Sequence, residues 1–222
     1  ADKVADGSAV SVGSGTTLTL GGAETVGSIA GAGNIVNGGF TVTAGGANTN
    51  TTYSGVLSGA GGLTKTGSGT LTLSGTNTYT GDTTISAGGL TTSAADKITD
   101  ASALSVASGA TLTLGGAETV GSIAGAGNIV NGGFTLTAGG ANTNTTYSGV
   151  LSGAGGLTKT GSGTLTLSGT NTYTGATTLS GGGITTSGAD KVADGSAVSV
   201  GSGTTLTLGG AETVGSIAGA GN

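Results

Sequence analysis

Short runs in which threonine or serine alternates with an aliphatic residue or tyrosine recur along the whole chain. Residues 61–89 show the pattern most clearly, with the runs LTKT, TLTL, TYT and TTIS separated by glycine, serine, asparagine or aspartate. Leu63, Leu71 and Tyr79 within these runs lie eight residues apart. A period of two predicts a strand with one apolar and one polar face. Even spacing and glycine-rich corners predict that such strands wind into a coil.

A much longer period organises these runs, because the tripeptide ADK recurs every 94 residues. The copies cover residues 1–94, 95–188 and, in part, 189–222. The first two copies differ at 12 positions, and the partial third copy is identical to the start of the first. We therefore expect a single continuous β-solenoid over residues 1–222, cut as a window from a longer array.

The differences between the copies predict which positions are buried. Five of them exchange one aliphatic residue for another, as buried positions do when volume and polarity must be kept: Val4/Ile98, Val10/Leu104, Val42/Leu136, Ile85/Leu179 and Leu90/Ile184. Other differences exchange glycine and alanine, which indicates that these glycines need no left-handed backbone; among them are Gly7/Ala101, Gly13/Ala107 and Ala87/Gly181.

Three strands of about eight residues predict a coil of roughly 22–24 residues, with coils stacked at about 4.8 Å. About four coils then fit one 94-residue copy, and the whole chain makes about nine coils in a rod some 45 Å long. Leu18 and Leu20 should point inward, with Thr17 and Thr19 outward. No polar capping segment is visible at either end, so we expect the stack to continue or to meet a neighbour.

Lys65 does not fit this scheme, because it has the same parity as Leu63 and should point inward. We expect the strand to end or bulge near Thr64, which would leave Lys65 at a corner with its amine in water. A fully buried Lys65 without a partner would contradict the register.

Composition narrows the alternatives to folded β-structure. Glycine accounts for 52 of 222 residues, which disfavours helix. Charged residues make up only 7%, and proline is absent, which argues against disorder and collagen. Five lysines and no arginine cannot form a phosphate-binding surface, so we expect no nucleic-acid partner. No apolar run is long enough to insert into a membrane as a helix.

The stretch YSGVLSGAGGLTKTGSGTLTLSGTNTYTG, residues 53–81, resembles the autotransporter-associated β-strand repeat of bacterial passenger regions and adhesins. It returns from Tyr147. The flanking SVGSGTTLTLGGAETVGSIAGAGNI is similar to the same passengers. The resemblance implies an all-β, right-handed, three-stranded parallel β-helix. It also implies secretion to an extracellular or bacterial cell-surface location.

The chain lacks the residue types that most catalytic sites need. The chain has no histidine, cysteine or arginine, so neither a hydrolase triad nor a zinc site can be assembled. The phosphate-binding motif GxxxxGK is also absent. We predict that the chain is not an enzyme, that it has no catalytic, cofactor-binding or metal-binding residues, and that it needs no cofactor.

Charged residues cluster at one corner of each copy. The corner contains Asp2, Lys3 and Asp6, which return as Asp96, Lys97 and Asp100 and as Asp190, Lys191 and Asp194. Glu24 lies 22 residues after Asp2 and could stack above it. A weak calcium site is one interpretation. We favour a solvated corner with local ion pairs.

Threonine pairs and lone aromatics are the remaining candidates. The pairs Thr17/Thr19, Thr41/Thr43 and Thr70/Thr72 have the spacing of flat ice-binding arrays, but any half-buried strand looks the same. Tyr53, Tyr79 and Phe40 could stack on a ligand, although solenoid aromatics more often fill the core or cover a corner. Asn50 begins a glycosylation acceptor pattern that we regard as incidental.

These observations favour a structural role. We expect a repeat segment of a secreted bacterial cell-surface fibre or adhesin stalk that gives reach and rigidity. Self-association, end to end or lateral, could assemble it into filaments or biofilm matrix, since its low charge removes a barrier to pairing. The alternative is an adhesive binding module that recognises glycans or other cells through its faces.

Overall fold

The computed structural model describes residues 4–222, and every regular element in this range is a β-strand of two to four residues. The strands of the first copy are β1 (Ala9–Val12), β2 (Thr17–Thr19), β3 (Glu24–Val26), β4 (Ser28–Gly31), β5 (Asn34–Val36), β6 (Val42–Ala44), β7 (Thr51–Tyr53), β8 (Leu57–Gly59), β9 (Leu63–Lys65), β10 (Thr70–Leu73), β11 (Thr78–Tyr79), β12 (Thr83–Ile85) and β13 (Gly89–Thr92). Those of the second copy are β14 (Ala103–Val106), β15 (Thr111–Thr113), β16 (Glu118–Val120), β17 (Ser122–Gly125), β18 (Asn128–Val130), β19 (Leu136–Ala138), β20 (Thr145–Tyr147), β21 (Leu151–Gly153), β22 (Leu157–Lys159), β23 (Thr164–Leu167), β24 (Thr172–Tyr173), β25 (Thr177–Leu179) and β26 (Gly183–Thr186). The partial third copy adds β27 (Ala197–Val200), β28 (Thr205–Thr207) and β29 (Ser216–Gly219).

Strands pair in parallel with strands one coil further along the chain. Paired residues are as few as 17 apart, for Leu18 and Ile35, and as many as 22 apart, for Ile35 and Leu57. A coil therefore takes fewer residues than the 22–24 predicted, because the strands are shorter than eight residues and some corners are tight. The chain makes about 11 coils rather than nine.

Each coil has three sides. Leu63, Leu71 and Tyr79 lie on three successive sides, and Thr83 returns to the first side, where it pairs with Leu63. The sheets have the strand orders β1-β4-β7-β10-β13-β15-β18-β21-β24, β28-β26-β23-β20-β17-β14-β12-β9-β6-β3, β11-β8-β5-β2 and β16-β19-β22-β25-β27-β29. The four-stranded and six-stranded sheets follow each other on the third side. The predicted all-β, parallel, three-stranded solenoid is confirmed.

Equivalent strands of successive copies lie on different sides. β1, β14 and β27 have nearly the same sequence, yet they belong to the nine-stranded, ten-stranded and six-stranded sheets, respectively. From the start of β1 to the start of β14 the chain has thirteen strands and one side without a strand, at residues 97–98. Fourteen sides at three per coil give four and two-thirds coils. The copy is therefore somewhat longer than the four coils predicted and does not close on a whole number.

The core is a narrow aliphatic column inside the three sides. Leu112 and Leu114, the second-copy equivalents of Leu18 and Leu20, are fully or almost fully buried, as predicted. All the residues at the five aliphatic exchange positions lie in this core or pack against it, which confirms the interpretation drawn from the differences. Val4 and Val10, in the first coil, are only partly buried. In residues 4–222 no helix is long and apolar enough to cross a membrane.

The corners bring backbones of successive coils into close contact. Gly33, Gly55 and Gly75 form a column at one corner, where a Cβ on Gly55 would overlap the carbonyl oxygen of Gly33. A Cβ on Gly75 would overlap the Gly55 carbonyl in the same way. By contrast, Gly7 and Gly13 have open space beside them and an ordinary φ, which confirms that they need no left-handed backbone.

Candidate functional site at the strandless side

The strandless side of the second copy, residues 97–98, lies between β11 and β16 on the third side of the solenoid. The backbone here does not form a ladder, so its polar groups need other partners. Two side chains supply them, one from the preceding coil and one from the following coil. The corresponding residues of the third copy, 191–192, have the same arrangement.

Asn77 connects this side to the coil before it. Its Oδ1 accepts a hydrogen bond from the Leu57 amide at 2.9 Å, and its Nδ2 donates to the Lys97 carbonyl at 2.8 Å. One buried amide therefore joins three successive coils. Asn171 repeats the pattern, with 2.8 Å to the Leu151 amide and 2.7 Å to the Lys191 carbonyl.

Glu118 connects the strandless side to the coil after it. Its carboxylate accepts the Lys97 amide at 3.0 Å and the Ile98 amide at 3.1 Å, and the side chain is buried. Burial raises the pKa of Glu118 to about 7, against the opposing effect of these amide hydrogen bonds, and nearby Asp96 raises it further. The carboxylate therefore points into the solenoid and accepts hydrogen bonds from the backbone of the strandless side.

The structure describes only part of the charged corner of the first copy. Asp2 and Lys3 lie outside the described residues, so the stacking of Glu24 on Asp2 stays a prediction. Glu24 itself is buried and accepts the Val4 amide at 3.1 Å. Among residues 4–222 no group of three or more potential ligand side chains could hold a metal ion.

A groove opens on the surface beside each strandless side. The first has a volume of about 390 Å³, and its lining includes Thr76, Thr78, Thr80, Asp96 and Asp100. The second, at the equivalent residues of the next copy, has about 430 Å³. Threonine and aspartate residues line both grooves together with apolar groups such as Ile98 and Ala193, and the rings of Tyr79 and Tyr173 lie buried beneath them. Such a surface can exchange hydrogen bonds with a hydroxyl-rich ligand.

Replacing Asn77 by leucine is expected to destabilise the fold by about 2–4 kcal/mol, because the Leu57 amide and the Lys97 carbonyl would both lose their partner. Asn50→Ala is the matched control, since this exposed asparagine makes a single hydrogen bond to the next coil, to the Thr70 amide. Its expected cost is about 1 kcal/mol or less. Chemical denaturation followed by circular dichroism measures both, and equal costs would contradict the bridging role of Asn77.

Glu118 is expected to make stability depend on pH. Its folded pKa of about 7 lies above the ordinary value of 4.5. The folded chain therefore holds the proton more tightly, and this contribution is fully present below pH 4.5 and lost as the pH rises through 7. Thermal unfolding should show the melting temperature falling between pH 4.5 and 7, with Glu118→Gln removing most of that slope. An unchanged slope in the variant would contradict the assignment.

The prediction for Lys65 was wrong. The residue completes β9 and points inward, and only 1% of its surface is exposed. The register holds because the amine has partners: Nζ donates to the carbonyls of Thr66 and Gly67, and to that of Ala87 in the next coil at 3.4 Å. Desolvation by burial lowers the pKa of Lys65. Lys159 has the same surroundings in the second copy.

The aromatic candidates divide into two groups. Tyr53 and Tyr79 are completely buried, so neither can stack on a ligand from solution. The Tyr79 hydroxyl shares a hydrogen bond of 2.6 Å with Thr83 Oγ1, which in turn lies 2.7 Å from Ser102 Oγ. Phe40 and its equivalent Phe134 remain 40% exposed at corners. The local sequence pattern does not indicate this hydroxyl chain, because Ser102 lies in the following coil, 19 residues after Thr83.

The threonine pairs do not form one flat face. Thr17 and Thr19 lie in the four-stranded sheet, Thr43 in the ten-stranded sheet, and Thr70 and Thr72 in the nine-stranded sheet. Their side chains are exposed or half-buried, as expected for the outer face of each strand. An ice-binding array would need them aligned on a single side.

Comparison with known families finds a match in two stretches of the chain. The passenger-associated-transport-repeat matches at residues 63–91 and again at residues 157–185, 94 residues further on. No curated protein and no solved structure matches significantly. Each matched stretch runs from β9 or its copy to β13 or its copy, and contains the buried lysine, the bridging asparagine and the core tyrosine. The chain thus carries two passenger-associated-transport repeats on a β-solenoid, and the resemblance to autotransporter passengers is confirmed.

Proposed function

We propose that this autotransporter passenger segment is a rigid spacer in a secreted or cell-surface fibre or adhesin stalk. The observation that supports this most strongly is the unbroken stacking of coils, in which one side alone has ten strands in continuous register. Stability in such an array accumulates from contacts between neighbouring coils, so length can increase by adding repeats. The first two copies differ at only 12 positions, which fits a role in which length and stiffness matter more than a unique site.

Rigidity can be tested on the 222-residue chain itself. Spin labels at Ser11→Cys and Ser199→Cys lie on equivalent residues of β1 and β27, two copies apart. Nine and one-third coils at about 4.8 Å separate them by about 45 Å along the axis. Pulsed electron paramagnetic resonance should give one narrow distance distribution. A broad distribution would contradict a rigid spacer.

Self-association of copies is a further part of this proposal. Only 7% of the residues are charged, and low charge removes one barrier to pairing between chains. Sedimentation of the 222-residue chain should therefore show species that grow with concentration. Monomers at every concentration would contradict this part of the proposal.

Binding of glycans is a second candidate function, and the two equivalent grooves favour it. Threonine hydroxyls and the carboxylates of Asp96 and Asp100 could hydrogen-bond sugar hydroxyl groups. A glycan array probed with the chain should then show binding that is lost on Asp96→Ala, Asp100→Ala, Asp190→Ala and Asp194→Ala together. Binding that survives in this variant, or no binding at all, would contradict glycan binding by the grooves without affecting the proposed spacer role.

A further inference from the structure

The sequence repeat and the coil are out of step by one third of a turn. β1 and β14 are copies, but β14 stacks on β12 in the ten-stranded sheet, whereas β1 stacks on β4 in the nine-stranded sheet. The next strands behave in the same way, since β2, β15 and β28 lie in the four-stranded, nine-stranded and ten-stranded sheets. Every surface feature of one copy therefore reappears on another side in the next copy.

The cause is the number of sides per copy. Thirteen strands and one strandless side give fourteen, and fourteen is not divisible by three. An array of three full copies would make fourteen whole coils, and a feature would return to its original side about 67 Å along the axis. A copy with twelve or fifteen sides would have aligned all equivalent features on one side.

The grooves and exposed aromatics follow this rotation. The groove beside Thr78 opens on the third side, next to the four-stranded sheet, but its copy beside Thr172 adjoins the nine-stranded sheet. Phe40 lies at the corner between β5 and β6, whereas Phe134 lies at the corner between β18 and β19, strands of two other sheets.

We infer that the array displays its repeat-specific surface in a spiral with three repeats per turn. This surface fits short glycans that bind one per copy and approach from all sides, because each groove presents threonine hydroxyls and aspartate carboxylates. It does not fit a flat partner. The grooves of three successive copies would lie on three different sides of the solenoid, so one flat surface could contact only one of them. The inference deepens the proposed spacer role: the stalk presents the same features in every direction.

Cysteine pairs test the rotation directly. Thr84 lies beside Ser105 on adjacent coils, with half-buried side chains on the outer face of their strands. Strand neighbours are close enough for a disulfide. The variant Thr84→Cys/Ser105→Cys should cross-link on oxidation. If a copy made a whole number of coils, Ser105 would instead stack in the nine-stranded sheet, beside Thr91. Cross-linking of Thr91→Cys/Ser105→Cys, without cross-linking of the first pair, would overturn the inference.

A second measurement tests the consequence for partners. Biotin attached to Thr78→Cys and Thr172→Cys should allow two monovalent streptavidin molecules to bind one chain, because the two sites face different directions. The control pair is Thr72→Cys and Ser152→Cys, which lie four strands apart in the nine-stranded sheet. Their separation of about 19 Å on one side should admit only one streptavidin. If native mass spectrometry found only one streptavidin bound to each of the two double variants, the spiral display would be contradicted. The spin-label distance for rigidity would remain narrow in that case, so the spacer role is tested separately.

Discussion

Replacing Gly55 by alanine is expected to prevent normal stacking of the coils around it. The new methyl group would overlap the carbonyl oxygen of Gly33 and approach the Tyr53 hydroxyl to 2.8 Å. That hydroxyl already donates to the Gly33 carbonyl at 2.9 Å, so the corner has no free volume. Neither backbone can move without breaking the ladders on both adjoining sides. We expect a loss of about 4 kcal/mol or more in the free energy of unfolding.

Two controls separate this effect from the general cost of changing a glycine. Gly46→Ala replaces a glycine with open space around it and an ordinary φ. Gly13→Ala reproduces a residue that occurs naturally at the equivalent position 107. Both should leave stability within about 0.5 kcal/mol of the parent chain. Chemical denaturation of the three variants is the measurement, and a Gly55→Ala chain as stable as the controls would contradict the close approach of the coils.

Replacing Lys65 by glutamate is expected to unfold the coils around β9. The new carboxylate would lie among the carbonyl oxygens of Thr66, Gly67 and Ala87, with no donor to balance its charge. An uncompensated buried charge costs several kcal/mol, so we expect a loss of about 4 kcal/mol or more. Lys65→Met keeps the aliphatic stem and removes only the donor, and its expected cost is about 2–3 kcal/mol.

Lys97→Met provides the matched comparison for Lys65. This lysine is only half-buried, and its backbone makes the contacts that hold the strandless side. We expect a change of about 0.5 kcal/mol or less. Thermal and chemical denaturation of the three lysine variants should rank them in this order. A stable Lys65→Glu chain would show that the amine at position 65 lies in water after all.

The sequence predicted the sides of the coil well, because each side is a local pattern. Alternation of threonine with leucine identified inward and outward positions correctly at β10, where Leu71 and Leu73 are buried. Exchanges such as Ile85/Leu179 identified core positions without any structure. Both signals depend only on neighbouring residues and on volume, and a solenoid keeps them from coil to coil.

The number of coils was harder to predict, because it depends on corner lengths. The segment between β6 and β7 is much longer than the one between β3 and β4, and nothing in the eight-residue step of Leu63, Leu71 and Tyr79 indicates this. The strandless side adds a further ambiguity, since it counts as a side without a strand pattern. An error of under one coil per copy was enough to hide the one-third rotation.

The buried polar groups could be predicted only in part. Lys65 has the same parity in its strand as the inward-pointing Leu63. The Ala87 carbonyl that accepts a hydrogen bond from its amine belongs to the following coil, however. Asn77 likewise finds its partners 20 residues before and 20 residues after it. Long-range partners leave no local pattern in the sequence. A polar residue of inward parity, present in both copies, is nevertheless a usable signal of such a bridge.

The central claim is that each 94-residue copy adds four and two-thirds coils to one continuous stack. The most direct test is the length of purified arrays with two to six copies, measured by electron microscopy. The stack predicts rods of constant width that lengthen by about 22 Å per copy. Particles that stay round as copies are added, or rods whose length per copy differs clearly from that value, would contradict it.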